Sequence, residues 1–242
     1  MKKRIILLTK SRKYGGYCTA GIDIENGQWV RIVSDGCGCI SNEILDCHIM
    51  YNNGSMAEIL DIIEVECKKY SPNYYQPENY VIDSSKWIRK IGRATMDEVL
   101  KIHPFENRDY IFYNMSYKVY HDEIFSIDEK DRYSLILIKT TQPQINVKTW
   151  ADGGKNVTLC FNYNYMCYKF FRITEGLENE YKLKPDGTYI LPGDYALVIS
   201  LGELYKDNYH YKLVSKIFPL KKKVSSYVST HRKISIEEIL KW

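Results

Sequence analysis

Residues 11–21, SRKYGGYCTAG, and residues 29–34, WVRIVS, hold the densest structural signal in this chain. Apolar and polar residues around the paired glycines predict two strands joined by a tight turn. Glycine also accepts the positive φ angles that bring successive backbone N–H groups together in a concave anion site. We therefore predict a phosphate-facing loop formed by Ser11, Arg12, Lys13, Gly15 and Gly16.

The next strand carries Trp29 and Arg31 two positions apart, so both side chains lie on one face. A loop of amides, a cation and an aromatic ring together indicate a surface for a nucleotide or a nucleic acid. The alternative is structural. In that reading the two glycines form only a turn, the cations are solvated edge charges, and Trp29 belongs to the core.

The composition is that of a globular protein. The 242 residues, 45% of them hydrophobic, suffice for one large domain or two small ones with a sizeable core. The net charge of +4, from 34 basic and 30 acidic residues, is too small to indicate nucleic-acid binding by itself. The basic residues are concentrated at both ends: Lys2, Lys3, Arg4, Lys10, Arg12 and Lys13, then Lys216, Lys221, Lys222, Lys223, Arg232 and Lys233.

The cysteines and the hydropathy pattern indicate the cellular compartment of the protein. Seven cysteines, an odd number with no secretory signal, indicate a reduced compartment. No apolar run approaches the roughly 20 residues that a membrane helix requires. We therefore expect a cytoplasmic protein without a membrane segment.

Alternating runs separated by turn residues predict a mainly β fold, with two small antiparallel β-barrels and a few short helices. The clearest runs are residues 5–8, 18–24, 29–33, 62–67, 135–139, 157–162, 166–173, 194–201 and 209–218. Capping boxes at Thr95–Glu98 and Ser235–Glu238 predict two of the helices. The expected segments are a first barrel at residues 1–110, a connection at 111–130, a second barrel at 131–220, and a basic linker with a terminal helix at 221–242.

No group of residues carries a catalytic or metal-binding signature. Cys37, Cys39, Cys47 and His48 are close in sequence, but the ligand pairs of structural zinc sites are usually two to four residues apart, unlike these. The motifs of serine hydrolases, zinc proteases and P-loop enzymes are missing from the sequence. We assign no catalytic residue, metal or cofactor, and the sequence favours a binding protein over an enzyme.

Aromatic, amide and basic side chains are interleaved in the first half, where Tyr75 and Trp87 flank Gln76, Glu78 and Asn79. This mixture is typical of single-stranded nucleic-acid binding, in which bases stack on rings and amides reach base edges. It equally fits a barrel end or an interface with a protein partner. The neighbouring aromatic and basic residues are Tyr74, Tyr80, Lys86, Arg89, Lys90 and Arg93. A comparable group follows later: Tyr205, Tyr209, His210, Tyr211 and Lys212.

Several motifs in a fixed order resemble those of bacterial dual OB-fold domain proteins (DuOB-like). They are the two opening stretches, LDII at residues 60–63, QPEN at 76–79, SLGE at 200–203 and YKLV at 211–214. The resemblance covers residues 2–218 and departs from the family pattern at Ile32, where proline is expected, and at the Cys37–Cys39 insert. It implies two OB-like barrels and a nucleic-acid-binding role in mobile-element or phage-defence loci, with no catalytic residues to transfer.

The leading hypothesis is a nucleic-acid-binding module without enzymatic activity, for DNA or RNA in single-stranded form. In it the loop at residues 11–16 meets phosphate. Trp29, Tyr75 or Trp87 stacks on bases. The polar contacts come from Arg31, Gln76, Glu78, Asn79 and Lys212. One alternative is a sensor of a small nucleotide or modified base between the barrels, and another is a metal-dependent nucleic-acid-processing enzyme that uses Glu78 and Asp83.

Overall fold

The computed structural model describes residues 1–13, 15–34, 36 and 43–220. They divide into two compact units: residues 1–72 with 78–104, and residues 73–77 with 105–220. Cys37, Cys39, the basic linker and the expected terminal helix lie outside the described residues.

The first unit is a five-stranded barrel with one added strand. Its elements are β1 Lys2–Lys13, β2 Gly16–Asp23, β3 Trp29–Val33, β4 Asp61–Tyr70, β5 Asn79–Ile82, β6 Arg89–Arg93 and the helix α1 Met96–Ile102. The strand order is β1-β2-β3-β5-β4, and β4 pairs back with β1 to close the barrel. All neighbours are antiparallel except β3 and β5, and β6 extends the sheet beside β4.

Alternation along β4 explains how the first barrel fills its interior. Ile63, Val65 and Cys67 point into a core that also contains Ile5 and Leu7 of β1. The polar residues between them point outward, as expected for successive side chains of a strand. The predicted capping box at the start of α1 is confirmed, because Thr95 accepts from the Glu98 N–H and the Glu98 carboxylate accepts from the Thr95 N–H.

The second unit contains the remaining elements. They are β7 Lys118–Tyr120, α2 His121–Phe125, β8 Leu135–Thr141, β9 Gln144–Thr149, β10 Lys155–Tyr163, β11 Met166–Ile173, α3 Leu177–Lys182, β12 Gly187–Ile190, β13 Asp194–Leu204 and β14 Tyr209–Leu220. Strands β8 and β9 are two parts of one bent strand, separated by Gln142, with φ of 48°, and Pro143. The order is β9-β10-β11-β14-β13-β8, with β11 and β14 parallel.

Both units therefore share one topology: three strands in a meander, a parallel pairing of the third with the fifth, and a fourth strand that returns to the first. This is the Greek-key arrangement of the OB-fold. The prediction of a mainly β chain with two small OB-like barrels and few helices is confirmed. In the described ranges, no helix combines the length and the apolar character needed to cross a membrane.

Residues 111–130, expected to be a connection, are an integral part of the second unit. Ile111, Phe112, Val119 and Ile124 are completely buried in its core. Their burial could not be predicted from the sequence, because these residues lie in a 3-10 turn, a three-residue strand and a five-residue helix. Each of these elements is too short to show a hydrophobic period.

Candidate nucleic-acid interface

OB-folds bind oligonucleotides on the face of strands 2 and 3 and on the loops that join strands 1–2 and 4–5. In the first barrel these elements are β2, β3, the turn after β1 and the segment between β4 and β5, whose residues 73–77 group with the second unit. These elements carry seven of the residues predicted from the sequence: Gly15, Gly16, Trp29, Arg31, Tyr75, Gln76 and Glu78. Ser11, Arg12 and Lys13 instead form the end of β1, and Asn79 begins β5. Trp87 precedes β6, and Lys212 lies on β14 of the second unit.

Strand β3 is buried along its whole length, which bears on the two residues predicted to face a base. The Trp29 side chain is only 8% exposed and packs edge-on against His103, with ring centroids 5.3 Å apart. Arg31 is 6% exposed, and its backbone N–H donates to the Glu78 carbonyl at 2.9 Å. Stacking on a base needs an accessible ring face, so this structure places Trp29 in the packing of the unit.

The turn after β1 is held by internal contacts. Arg12 makes two hydrogen bonds to the Asp46 carboxylate, at 3.0 and 3.2 Å, and lies over the Tyr17 ring. Ser11 is buried, with its Oγ 3.5 Å from Thr9 Oγ1. Lys13 ends β1 and Gly15 is exposed in the turn.

A steric requirement explains why the second position of the paired glycines is glycine. Gly16 is buried, and a Cβ added there would lie 2.4 Å from the backbone oxygen of Ile44. Tyr17 and Ile44 form an isolated antiparallel bridge at this point. Glycine at this position therefore permits a close backbone approach, and the predicted contact with phosphate stays a prediction.

The segment between β4 and β5 is also folded inward. Gln76 and Asn79 are buried, and the Asn73 side chain accepts the N–H groups of Tyr75 and Gln76 at 3.1 and 2.7 Å. The half-buried Tyr75 ring lies 4.6 Å from the His210 ring. Burial of the two amides and the ring contact of the tyrosine make all three part of the packing.

Several cations of the first unit are matched by carboxylates. Lys3 pairs with Asp23 at 2.8 Å, Arg89 with Glu64 at 2.8 Å, and Lys90 with Asp61 at 2.7 Å. Burial alone would raise the pKa of Asp61, but the hydrogen bond from Lys90 and the other bonds to this carboxylate lower it. Because these charges are compensated locally, they contribute little net attraction for a polyanion.

Lys212 is 1% exposed and holds a backbone turn from inside the second unit. Its Nζ donates to the Ile111 carbonyl, to the Asn114 carbonyl at 2.7 Å and to Asn114 Oδ1 at 2.9 Å. Burial lowers the pKa of Lys212 to about 7. A side chain so enclosed does not meet phosphate in this conformation.

The corresponding face of the second unit is open. Strands β9, β10 and β11 send their apolar residues into the core and the alternate residues outward. One row of paired residues crosses four strands in register. The row consists of Thr188, Asn146, Thr158 and Arg172, of which Thr158 is buried. We call the solvent-facing side of these strands the outer face; its further residues are Gln144, Lys148, Asn156, Cys160, Asn162, Cys167, Lys169 and Phe170.

Positive charge on the outer face is not matched by acidic residues. Among the described residues, none forms an ion pair with Lys148, Lys169 or Arg172. Strands β9 to β12 contain no aspartate or glutamate. These cations are therefore available to an anionic ligand, in contrast to Lys3, Arg89 and Lys90 of the first unit.

Exposed aromatic rings accompany these cations. Phe170 is 61% exposed, at an irregularity of β11 where its φ is 67°, and Trp150 is 52% exposed in the loop between β9 and β10. Lys148 lies 5.8 Å from the Trp150 ring. This surface was not predicted from the sequence, although one signal indicates it: residues 144–173 contain four basic residues and the single acid Asp152.

A separate groove of about 620 Å³ lies within the first unit. Trp87, 61% exposed, forms part of its lining together with Asn52, Asn53, Arg89 and Lys90. Its volume falls within the range of about 300–1,000 Å³ that small-molecule sites occupy. Of the predicted stacking residues, Trp87 is the one with a largely open ring.

The two carboxylates considered for metal-assisted cleavage lie at opposite ends of β5, with Glu78 before it and Asp83 after it. Their Cα atoms are five steps apart along an extended chain, a distance of about 16 Å. Asp83 accepts from the N–H and the hydroxyl of Ser85. Within the described ranges, no group of three or more His, Cys, Asp or Glu side chains could hold a metal ion.

Comparison with known proteins agrees with this topology. A family model described as a dual OB-containing domain matches residues 3–217, a span that runs from β1 to β14 and includes both barrels. Neither a curated protein nor a solved structure matches the chain. Since the match covers most of the sequence and agrees with the two five-strand topologies, the chain belongs to the dual OB-containing domain family.

Proposed function

We propose that this protein binds single-stranded nucleic acid, DNA or RNA, on the outer face of β9, β10 and β11. The observation that carries the proposal is an OB strand 2–3 face with three cations free of ion pairs, exposed rings and no acidic residue on its strands. The first unit presents its equivalent strands buried. A role in mobile-element or phage-defence loci rests on the family resemblance alone.

Each residue type on the outer face has a task in this proposal. Lys148, Lys169 and Arg172 contact phosphates, and Phe170 and Trp150 offer flat faces on which bases stack. The outward amides of Asn146, Asn156 and Asn162 can donate to and accept from base edges. Because every base has a stacking face, sequence preference should be modest.

Substituting both cations of β11, Lys169→Ala with Arg172→Ala, should weaken binding of a labelled single strand roughly tenfold at moderate salt. With three phosphate contacts, the slope of log K against log salt should be about −2 in the parent protein and about −0.7 in the variant. Fluorescence anisotropy across a salt series, with single strands and duplexes of DNA and RNA, measures both quantities.

The matched control is Arg12→Ala with Lys13→Ala, which removes two cations from the turn of the first unit. This variant should bind like the parent protein, because Arg12 is already paired with Asp46. Loss of affinity in this control, with normal binding by the β11 variant, would instead place the phosphate contacts at the loop predicted from the sequence. Absence of binding by the parent protein at low salt would contradict the proposal itself.

The groove of the first unit supports a second candidate function, binding of a mononucleotide. An exposed tryptophan supplies the stacking face, and Asn52 and Asn53 supply groups for base edges. Trp87→Ala should weaken binding of ribonucleoside monophosphates roughly tenfold in calorimetric titration. Trp150→Ala, which removes an exposed indole of the second unit, should leave the affinity for ribonucleoside monophosphates unchanged. Equal effects of the two substitutions would rule out the groove as the site.

A further inference from the structure

Two free cysteines face each other on the outer face of the second unit. Cys160 of β10 and Cys167 of β11 have their Sγ atoms 3.7 Å apart. Cys167 is exposed and Cys160 is half-buried. The other free cysteines of the described ranges are Cys18, Cys47 and Cys67.

The backbone explains why the two thiols meet. Tyr168 pairs with Phe161, and Cys167 pairs with Asn162, so Cys160 lies diagonally across from Cys167 on the same side of the sheet. The ladder is irregular between Leu159 and Phe161, at the position of Cys160 itself. Forming a bond of about 2.05 Å needs the sulfur atoms to approach by about 1.7 Å, a distance that side-chain rotation can supply.

We propose that Cys160 and Cys167 are a redox-responsive pair. They form a disulfide bond with each other when they react with a low-molecular-weight disulfide such as oxidised glutathione. The exposed Cys167 thiolate attacks one sulfur of the oxidant, giving a mixed disulfide and releasing one thiolate. Cys160 then attacks the Cys167 sulfur, its thiol proton goes to solvent, and the second glutathione thiolate leaves. Two protein thiols are oxidised, and one glutathione disulfide is reduced to two thiols.

Charge and burial assign the order of the two steps. Burial and the hydrogen bond with Cys167 raise the pKa of Cys160 to about 11, while the charge of Lys169 opposes this shift. Cys160 therefore contributes little thiolate near neutral pH and is suited to the second, intramolecular attack. Since that attack needs the thiolate, its rate should rise with pH.

The pair lies among the residues proposed to contact nucleic acid, which makes its oxidation and strand binding compete for the same surface. A bound strand should slow the attack of glutathione on Cys167. This consequence rests on the proposed function, whereas disulfide formation does not.

The test is treatment of the folded, full-length protein with oxidised glutathione, followed by alkylation, trypsin digestion and mass spectrometry. Cleavage after Lys155 and Lys169 leaves both cysteines in one peptide, residues 156–169. We expect this peptide to lose two hydrogen atoms. In Cys160→Ser, Cys167 should instead carry one stable glutathione.

Two free thiols in this peptide after treatment, or a persistent glutathione adduct on the parent protein, would overturn the inference. A parallel reaction contains a saturating single strand and should show at least a threefold slower loss of thiols. If the disulfide forms at the same rate with and without the strand, the redox pair stands and the proposed interface fails.

Discussion

Substituting Lys212→Met should destabilise the protein by about 3 kcal/mol below about pH 7, because there a buried ammonium that donates to three oxygen acceptors is replaced by an apolar chain. A change of this size lowers the Tm by about 10 °C in a chain of this length. Urea and thermal unfolding followed by circular dichroism measure both quantities. A Tm within about 2 °C of the parent value would show that Lys212 does not hold the turn.

The physical reason is the turn that Lys212 holds. Phe112 and Tyr113 have φ of 46° and 73°, a left-handed conformation that side chains other than glycine rarely adopt. The carbonyls of Ile111 and Asn114 on either side accept from Lys212 Nζ. Without these bonds the buried carbonyls lack donors and the unfavourable backbone is no longer stabilised.

Lys139→Met is the control for loss of a lysine charge. Lys139 lies on β8 with its side chain 49% exposed and pairs with Asp194 at the surface. Surface ion pairs contribute about 0–1 kcal/mol, so this variant should unfold near the parent. Equal destabilisation by the two substitutions would attribute the effect to lost charge and not to the turn.

The same lysine should give the protein a pH-dependent stability. The pKa of Lys212 is lowered to about 7 in the folded protein, from 10.5 for an ordinary lysine. Between these values the unfolded chain binds more protons than the folded one, so the free energy of unfolding rises with pH. Below about pH 7 both states are protonated and the dependence disappears. The free energy of unfolding of the parent protein minus that of Lys212→Met should therefore increase from about pH 7 to about pH 10. A difference that does not change with pH would contradict this pKa.

Substituting Gly21→Ala should destabilise the first barrel by about 3 kcal/mol, because the new methyl group meets backbone that cannot move independently. Gly21 of β2 lies opposite Leu7, where the ladder between β1 and β2 is irregular. A Cβ at this position would lie 2.1 Å from the Ile6 oxygen and 2.8 Å from the Ile6 carbonyl carbon. Relief requires the two strands to separate inside a closed barrel. Denaturant unfolding measures the loss.

Gly15→Ala is the matched control, since a Cβ there would meet no atom within 4 Å. It should change stability by less than about 0.5 kcal/mol. Gly16→Ala should lower stability, as Gly21→Ala does, because its Cβ would meet the Ile44 backbone oxygen. Normal stability of Gly21→Ala would show that β1 and β2 separate at little cost.

Much of the fold could be predicted because alternation and turn residues are local properties of the chain. Each of the nine runs identified from the sequence coincides with or lies largely within an observed strand, and the capping box at Thr95 begins α1. The strands β5, β6, β7, β9 and β12 were missed. They have three to six residues each, and several expose much of their length, so their patterns are short and weak.

The candidate site was harder to predict because accessibility and charge compensation depend on distant residues. Arg12 attracted notice as a cation beside glycines, but its partner Asp46 lies 34 positions away. Trp29 is covered by His103, which follows α1. Conversely, Lys169 and Arg172 attracted no notice in an ordinary strand, and only the strand pairing shows that the neighbouring strands bring no carboxylate to them.

The sequence by itself determined a mainly β chain with two OB-like barrels, since residue alternation, turn chemistry and the order of motifs are written along one dimension. Only the tertiary structure decided which strand faces stay open, which cations are neutralised and which lysine is buried. Those properties arise when strands far apart in sequence pair, because pairing removes surface from water and brings opposite charges within a few ångströms.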